Sequence, residues 1–161
     1  MSIQFLDSRI SIHRDDFGGS QPLSTLPILV GDIGLQVLAA IPANTSNVRV
    51  SLSGTVVVDF APPVEPTLEL PPGPTVITVT VERGGDGTAG TGVTILNEQF
   101  NIRVFSALFP ISVTAADFPP AADVLAQEIR YTMFVATDGF FDLILTGPAV
   151  FNGIAAAGTT T

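Results

Sequence analysis

The sequence predicts an all-β fold: one antiparallel β-sandwich of the jelly-roll type with an extended N-terminal arm. Three observations carry that expectation. Period-two hydrophobic segments recur along the chain, separated by glycine- and proline-rich turns. Helical periodicity is confined to one short stretch. The length, 161 residues, suits a single domain. About eight such segments fit two packed sheets, the strand count of a jelly roll. The expected division is an arm over 1–20, the sandwich over 21–158 and a short tail over 159–161.

The arm comes first. Ile3-Gln4-Phe5-Leu6-Asp7-Ser8-Arg9-Ile10-Ser11-Ile12 is strand-competent, and Arg14-Asp15-Asp16-Phe17-Gly18-Gly19-Ser20 tethers it to the rest. A strand on a glycine-containing tether can pair with its own sheet or with the edge of another copy. Leu35–Ile41 is the next candidate strand. Val48–Phe60 is the clearest: Val48, Val50, Leu52, Val56, Val58 and Phe60 alternate with Arg49, Ser51, Ser53, Thr55 and Asp59. Gly54 interrupts the apolar row and marks a bulge or a close backbone approach. Ala61–Pro74 holds six of the 13 prolines, so it reads as an ordered loop crossing between sheets. Thr75–Arg83 alternates again, Ile77, Val79 and Val81 against Thr78, Thr80 and Glu82.

Gly84–Gly92 has the chemistry of a hairpin turn. Val93–Val104 changes phase, from Val93 and Ile95 to Phe100 and Ile102, which places a bulge or break near Asn97. Ile111–Ala115 follows. The two prolines before Ala121 suit either a short helix over Pro120–Glu128 or a structured loop. Ile129–Ala136, Phe140–Thr146 and Pro148–Ala156 complete the strands.

Composition narrows the function. Fifteen acidic residues against six basic ones give a net charge of −9, and every basic residue is arginine: 9, 14, 49, 83, 103 and 130. Six dispersed arginines in an acidic chain do not neutralise a phosphate backbone or an anionic bilayer, so neither nucleic acid nor membrane is an expected partner. Absence of cysteine removes disulfides, thiolate metal sites and thiol nucleophiles. Absence of lysine removes Schiff-base chemistry, the P-loop lysine and lysine–asparagine isopeptide crosslinks. Ile28–Ile41, the most apolar run, spans 14 residues and contains Asp32 and Gln36, short of the ~20 that cross a bilayer. The first residues show no basic and apolar signal-peptide pattern.

The chemical motifs are weak. Gly85-x-Gly87-x-x-Gly90 spells a dinucleotide pattern, but a strand follows where a pyrophosphate needs a helix N-terminus. Gly84-Gly85-Asp86-Gly87 has a single carboxylate and reads as a turn rather than a calcium site. His13, the lone histidine, sits among Arg14, Asp15 and Asp16 without a nucleophile elbow and reads as a solvated side chain. A glycosidase carboxylate pair needs sugar-stacking aromatics, whereas this chain has no tryptophan and one tyrosine, Tyr131. No catalytic, cofactor-binding or metal-ligating residue is therefore assigned, and the chain is expected not to be an enzyme.

Low charge needs a physical reason. Hydrophobic residues make up 46% of the chain, charged ones 13% and the mean hydropathy is +0.50, whereas soluble domains carry about 25% charged residues. Val56-Val57-Val58, Phe140-Phe141 with Leu143-Ile144-Leu145, and Ile154-Ala155-Ala156-Ala157 are apolar on both faces of a strand. Outer faces buried against neighbouring subunits are the expectation. The candidate self-association residues are Ile3, Phe5, Ile10 and Ile12 on the arm, with Phe140, Phe141 and Phe151 as aromatic anchors.

A resemblance adds to this reading. Ser53-Gly54-Thr55-Val56, Glu82-Arg83-Gly84-Gly85, Glu98-Gln99-Phe100, Ala116-Asp117-Phe118-Pro119-Pro120, Tyr131-Thr132 and the closing Gly147-Pro148-Ala149-Val150-Phe151-Asn152-Gly153-Ile154-Ala155 occur in that order. Over about Val48–Gly158 the chain resembles small spore-surface proteins of the exosporium-protein-C type. The first 47 residues lie outside the match. The resemblance implies a jelly-roll-like structural protein of a spore-forming Gram-positive bacterium. Such a protein is made in the mother cell without a signal peptide and deposited on the exosporium, coat or an appendage. Its implied partners are other copies of itself and a spore-surface anchoring protein. The alternatives are a trimeric binding head of the tumour-necrosis-factor or C1q kind and a carbohydrate-active enzyme.

Overall fold

The computed structural model describes residues 3–60, 74–102, 108–139 and 142–158. Strands β1 (Gln4–Arg14), β2 (Gln21–Pro22), β3 (Ile28–Gln36) and β4 (Val48–Phe60) come first. Then follow β5 (Thr75–Arg83), β6 (Val93–Ile102), β7 (Phe109–Asp117), helix α1 (Ala121–Leu125), β8 (Glu128–Thr137) and β9 (Leu143–Ala157). They form two antiparallel sheets, β1-β9-β4-β7 and β3-β8-β5-β6, with β2 continuing along β9 beyond β1. From β3 to β9 the chain changes sheet at every step except β5 to β6. The result is a β-sandwich of jelly-roll type, as the alternation and turn chemistry predict.

Inward rows of both sheets make the core. Leu52, Val56, Leu145, Phe151 and Ala155 come from one layer, and Val30, Leu35, Val79, Tyr131 and Met133 from the other, all at most 1% exposed. Glycine lets the largest of these groups fit. A Cβ on Gly31 would stand 2.3 Å from the Cβ of Phe151, and one on Gly54 2.3 Å from Met133 Sδ. Of the two roles open to Gly54, the structure therefore has the close approach, with no shift in its own register against β7 or β9.

Several elements differ from the sequence expectation, each for a local reason. The strand expected at Leu35–Ile41 instead ends at Gln36, and Leu38–Ala40 is a 3-10 turn. There Val37 donates to the Gln127 carbonyl and Ala40 back to the Val37 carbonyl, so the ladder stops. Of the strand expected at Phe140–Thr146, Phe140 and Phe141 lie outside the described residues; Leu143–Thr146 merges with the strand expected at Pro148–Ala156 into the single strand β9. Val56 pairs with Ala149 and Val58 with Leu145, so the residues around Gly147 are absorbed as a bulge. Gly147 sits at φ +87°, and a Cβ there would meet the Asp16 carbonyl at 2.2 Å. The phase change of β6 is a bulge at Ile95, the residue skipped between Val81↔Leu96 and Glu82↔Thr94 and two residues before Asn97. Between the two forms open to Pro120–Glu128, the chain takes a five-residue helix after Pro120.

Gly84–Gly92 is the turn between β5 and β6. The Glu82 carboxylate accepts from Gly90 N–H (2.7 Å) and Gly92 N–H (3.0 Å), and Asp86 accepts from Thr88 N–H (2.8 Å). The proline-rich stretch 61–73 lies outside the described residues. The arm is strand β1, antiparallel on β9 of its own chain from Gln4↔Ala157 to Arg14↔Ala149.

Candidate functional site: the outer face of the β1–β9 sheet

Register decides which side chains share the outer side of the first sheet. Phe151, Gly153, Ala155 and Ala157 point inward along β9, so Val150, Asn152, Ile154 and Ala156 point outward. On β1, Phe5 stands opposite Ala156, Ser8 opposite Ile154, Ile10 opposite Asn152 and Ile12 opposite Val150. The skipped position between Phe5 and Asp7 is what keeps Phe5 on the same side as Ile10 and Ile12. Across β9 the rows continue to Arg49, Ser51, Ser53 and Thr55 on β4, then Ala116, Thr114 and Ser112 on β7.

The face is thus divided. Its β1–β9 half is mostly apolar and wet, interrupted by Ser8 and Asn152: Phe5 and Ile10 are each 63% exposed, Ile12 56% and Ile154 47%. Ile3, just before β1, is also exposed. Its β4–β7 half is neutral and polar, with Ser53 Oγ donating to Asn152 Oδ1 (2.8 Å) and Thr55 paired with Ser112 (3.2 Å). In these paired rows the one charged side chain is Arg49, whose guanidinium lies 5.9 Å from the centre of the Phe118 ring.

Phe5, Ile10 and Ile12 therefore share the outer side of the sheet, and Ile3 is exposed just before them. Phe151 is corrected: it is 0% exposed, packed between the sheets against Gly31 and Gly54, and fills the chain's own core. Phe140 and Phe141 lie outside the described residues. Ile154 and Val150 join the patch; the apolar-on-both-faces run Ile154–Ala157 signals Ile154 in the sequence, whereas Val150 is placed there by its register opposite Ile12.

Strand β1 also closes one side of the sandwich. Asp7 Oδ2 accepts from Gln36 N–H (2.9 Å) and Ser11 Oγ from Asp32 N–H (3.2 Å), so β1 side chains cap two free amides on the edge of β3. Burial alone would push the Asp7 carboxyl up. Hydrogen bonds from Gln36 N–H, Arg9 and Ser8 N–H outweigh that and hold it below its ordinary value of 3.8.

A second feature lies at the end of the sandwich beside the β5–β6 turn. A cleft of about 440 Å³ is lined by Arg83, Gly85, Thr91, Asp123, Glu128 and Arg130. Its charges are already used. Arg83 Nη1 donates to both Asp117 oxygens (2.8 and 2.7 Å), and its Nε lies 2.8 Å from Asp123 outside hydrogen-bond alignment. Tyr131 O–H donates to Asp117 (2.7 Å); burial, then that carboxylate, drives the phenol pKa up. Arg130 grips Asp32 through two bonds (2.9 and 2.6 Å), which hold the Asp32 carboxyl low, and Glu128 accepts from Gln36. Among the described residues, no group of three or more His, Cys, Asp or Glu is placed to hold a metal ion. No helix of the described residues is long and apolar enough to cross a membrane.

No family model and no curated protein matches this chain. Among solved structures it is similar to the infectious bursal disease virus Gx strain structure (9% identity, TM-score 0.47, 94% of this chain and 32% of that one). It is similar also to the T13 particle of that virus (12% identity, TM-score 0.46, 96% of this chain and 36% of that one). A family 22 carbohydrate-binding module of Clostridium thermocellum Xyn10B is a third (11% identity, TM-score 0.30, 99% of this chain and 87% of that one). The chain spans about a third of the length of the two viral chains.

Proposed function

We propose that this chain is a structural, non-catalytic subunit that assembles non-covalently with other copies of itself in a surface layer or appendage filament of a bacterial spore. The observation that carries the assembly is the exposed apolar row Phe5, Ile10, Ile12 and Ile154 on one sheet face. Burying one such side chain is worth about 1.5–3 kcal/mol. Charge supports the same surface. Two copies carrying −9 each repel, and a face whose paired rows hold only Arg49 and Asp59, one charge of each sign, is where they approach at least cost. Strand pairing is the second contribution, since no residue of β1 is fully buried and main-chain bonds hold it in place. Those bonds can be made to β9 of the same copy or of another.

The spore setting, the mother-cell origin and an anchoring partner rest on the exosporium-protein-C resemblance. Light scattering across a dilution series, with negative-stain microscopy of the same sample, tests the assembly. Open-ended fibres or sheets are expected. Closed trimers would favour the binding-head alternative, and a monomer at every concentration overturns self-assembly.

A further inference from the structure

Each sheet has two edges, and the chain treats them unequally. The β3 edge is capped by Asp7 and Ser11. The β6 edge is bulged at Ile95 and presents Asn97, Glu98, Gln99 and Asn101. The β7 edge carries Pro110, which has no amide to offer. Such devices blunt an edge against pairing. Strand β1 has neither proline nor lysine, and its two irregularities lie between Phe5 and Asp7 and between Ile12 and Arg14. Between them Asp7–Ile12 runs in regular register on β9, and among the described residues the other edge of that run pairs with no strand.

Charge along β1 has a direction. Asp7 lies toward its start, Arg9 in the middle, His13 and Arg14 at its end. Within a chain of net −9 this strand carries one more basic than acidic side chain, with Arg9 beside Asp7 (2.9 Å) and Arg14 beside Asp16 (3.4 Å), so the general repulsion is weakest here. Antiparallel pairing sets Asp7 of each copy against the His13–Arg14 end of the other. Parallel pairing would stack Arg9 on Arg9 and Arg14 on Arg14.

We infer that the β1 edges of two copies pair antiparallel around a two-fold axis, joining their sheets into one and merging the two Phe5–Ile10–Ile12 rows. Centred on Ile10, such a pair sets Ile12 against Ser8, Arg9 against Ser11 and Asp7 against His13. This deepens the self-assembly reading and rests on it; it names the edge and the symmetry of one contact.

The chain has no cysteine, so single substitutions report contacts cleanly. S8C, R9C, I10C, S11C and I12C are each oxidised mildly at a concentration where light scattering shows assembly, with thermal melting confirming the fold. Across a two-fold only the central residue meets itself. One central position should therefore form disulfide-linked dimers ~10-fold faster than positions two residues away. Equal rates at all five positions overturn the antiparallel pair. Intact assembly without crosslinking at any position overturns edge pairing and leaves the aliphatic-face reading standing. A monomer throughout overturns both.

Discussion

The outer faces of the two sheets share one geometry and differ in chemistry. On the β3-β8-β5-β6 side the paired rows carry Asp32, Thr132 and Glu82, then Gly34 with Arg130, Gln36 with Glu128, and Thr78 and Thr80 beside Gln99 and Asn97. The charged groups among them are paired within the chain: Arg130 holds Asp32 and the Gly85 carbonyl, Glu128 accepts from Gln36, and Glu82 holds the β5–β6 turn. Phe134, facing the same way, is covered to 2% exposure. On the β1-β9-β4-β7 side, Phe5, Ile10, Ile12 and Ile154 meet water. Inner rows of both sheets account for folding; the second outer face keeps its polarity internal, and the first leaves apolar area without a partner. An exposed leucine or isoleucine alone means little, but Phe5, Ile10, Ile12 and Ile154 grouped on one sheet face form an apolar patch of the kind that marks interaction surfaces.

The comparison breaks first if inner and outer rows of β9 behave alike. Phe151→Ala empties the space between Gly31 and Gly54, and should cost about 3–5 kcal/mol of stability by denaturant unfolding. Ile154→Ala, three residues on but facing out, should cost under about 0.5 kcal/mol. Equal losses would mean that the two sides of β9 are not divided as described.

The next effect separates the two outer faces. Ile10→Asp with Ile12→Asp puts two charges into the aliphatic row without touching the core. Assembly should weaken at least ~100-fold by light scattering, about 2.7 kcal/mol, while the monomer's melting temperature changes little. Thr78→Asp with Thr80→Asp places the same charge on the opposite face and should leave assembly within about threefold of the parent. Loss of assembly in both pairs would reduce the contrast to net charge alone.

How much of this the sequence displays depends on whether a strand is two-faced. Strands β4 and β5 are legible to the residue, because Arg49, Ser51, Ser53 and Thr78, Thr80 mark the outward side by polarity. Strand β9 is not: Ile154-Ala155-Ala156-Ala157 is apolar on both sides, and only its register on β4 turns Ala155 inward and Ile154 outward. On such a strand sequence alone does not tell the two sides apart, and Phe151, expected as an anchor, turns inward into the core. Gly147-Pro148 reads as a strand break, but a bulge in the ladder absorbs it. The arm residues Ile3, Phe5, Ile10 and Ile12 are legible as a group because Ser8, Ser11 and Arg9 break the apolar run around them. Capping of β3 by Asp7 and Ser11 is a contact between residues far apart in sequence, for which no local signal exists.

That capping gives the smallest effect and a pH signature. Asp7 joins β1 to the Gln36 amide, and its carboxyl is held below 3.8 by the hydrogen bonds it accepts. A depressed carboxyl contributes stability that is present above its unfolded value and is lost as pH falls through the lower folded one. Asp7→Asn keeps an acceptor and removes the charge. It should lower stability by about 0.5–1 kcal/mol at pH 6 and by progressively less as pH drops below 3.8. Asp32, held low by Arg130, titrates with the same sign in both proteins and cancels in the difference. Thermal melts of parent and variant from pH 6 to 2.5 should therefore converge at the acid end. A constant gap would place the contribution of Asp7 in its shape rather than its charge, leaving the second sheet's Asp32–Arg130 pair as the charged contact between neighbouring strands and β1 as a strand held by neutral bonds alone.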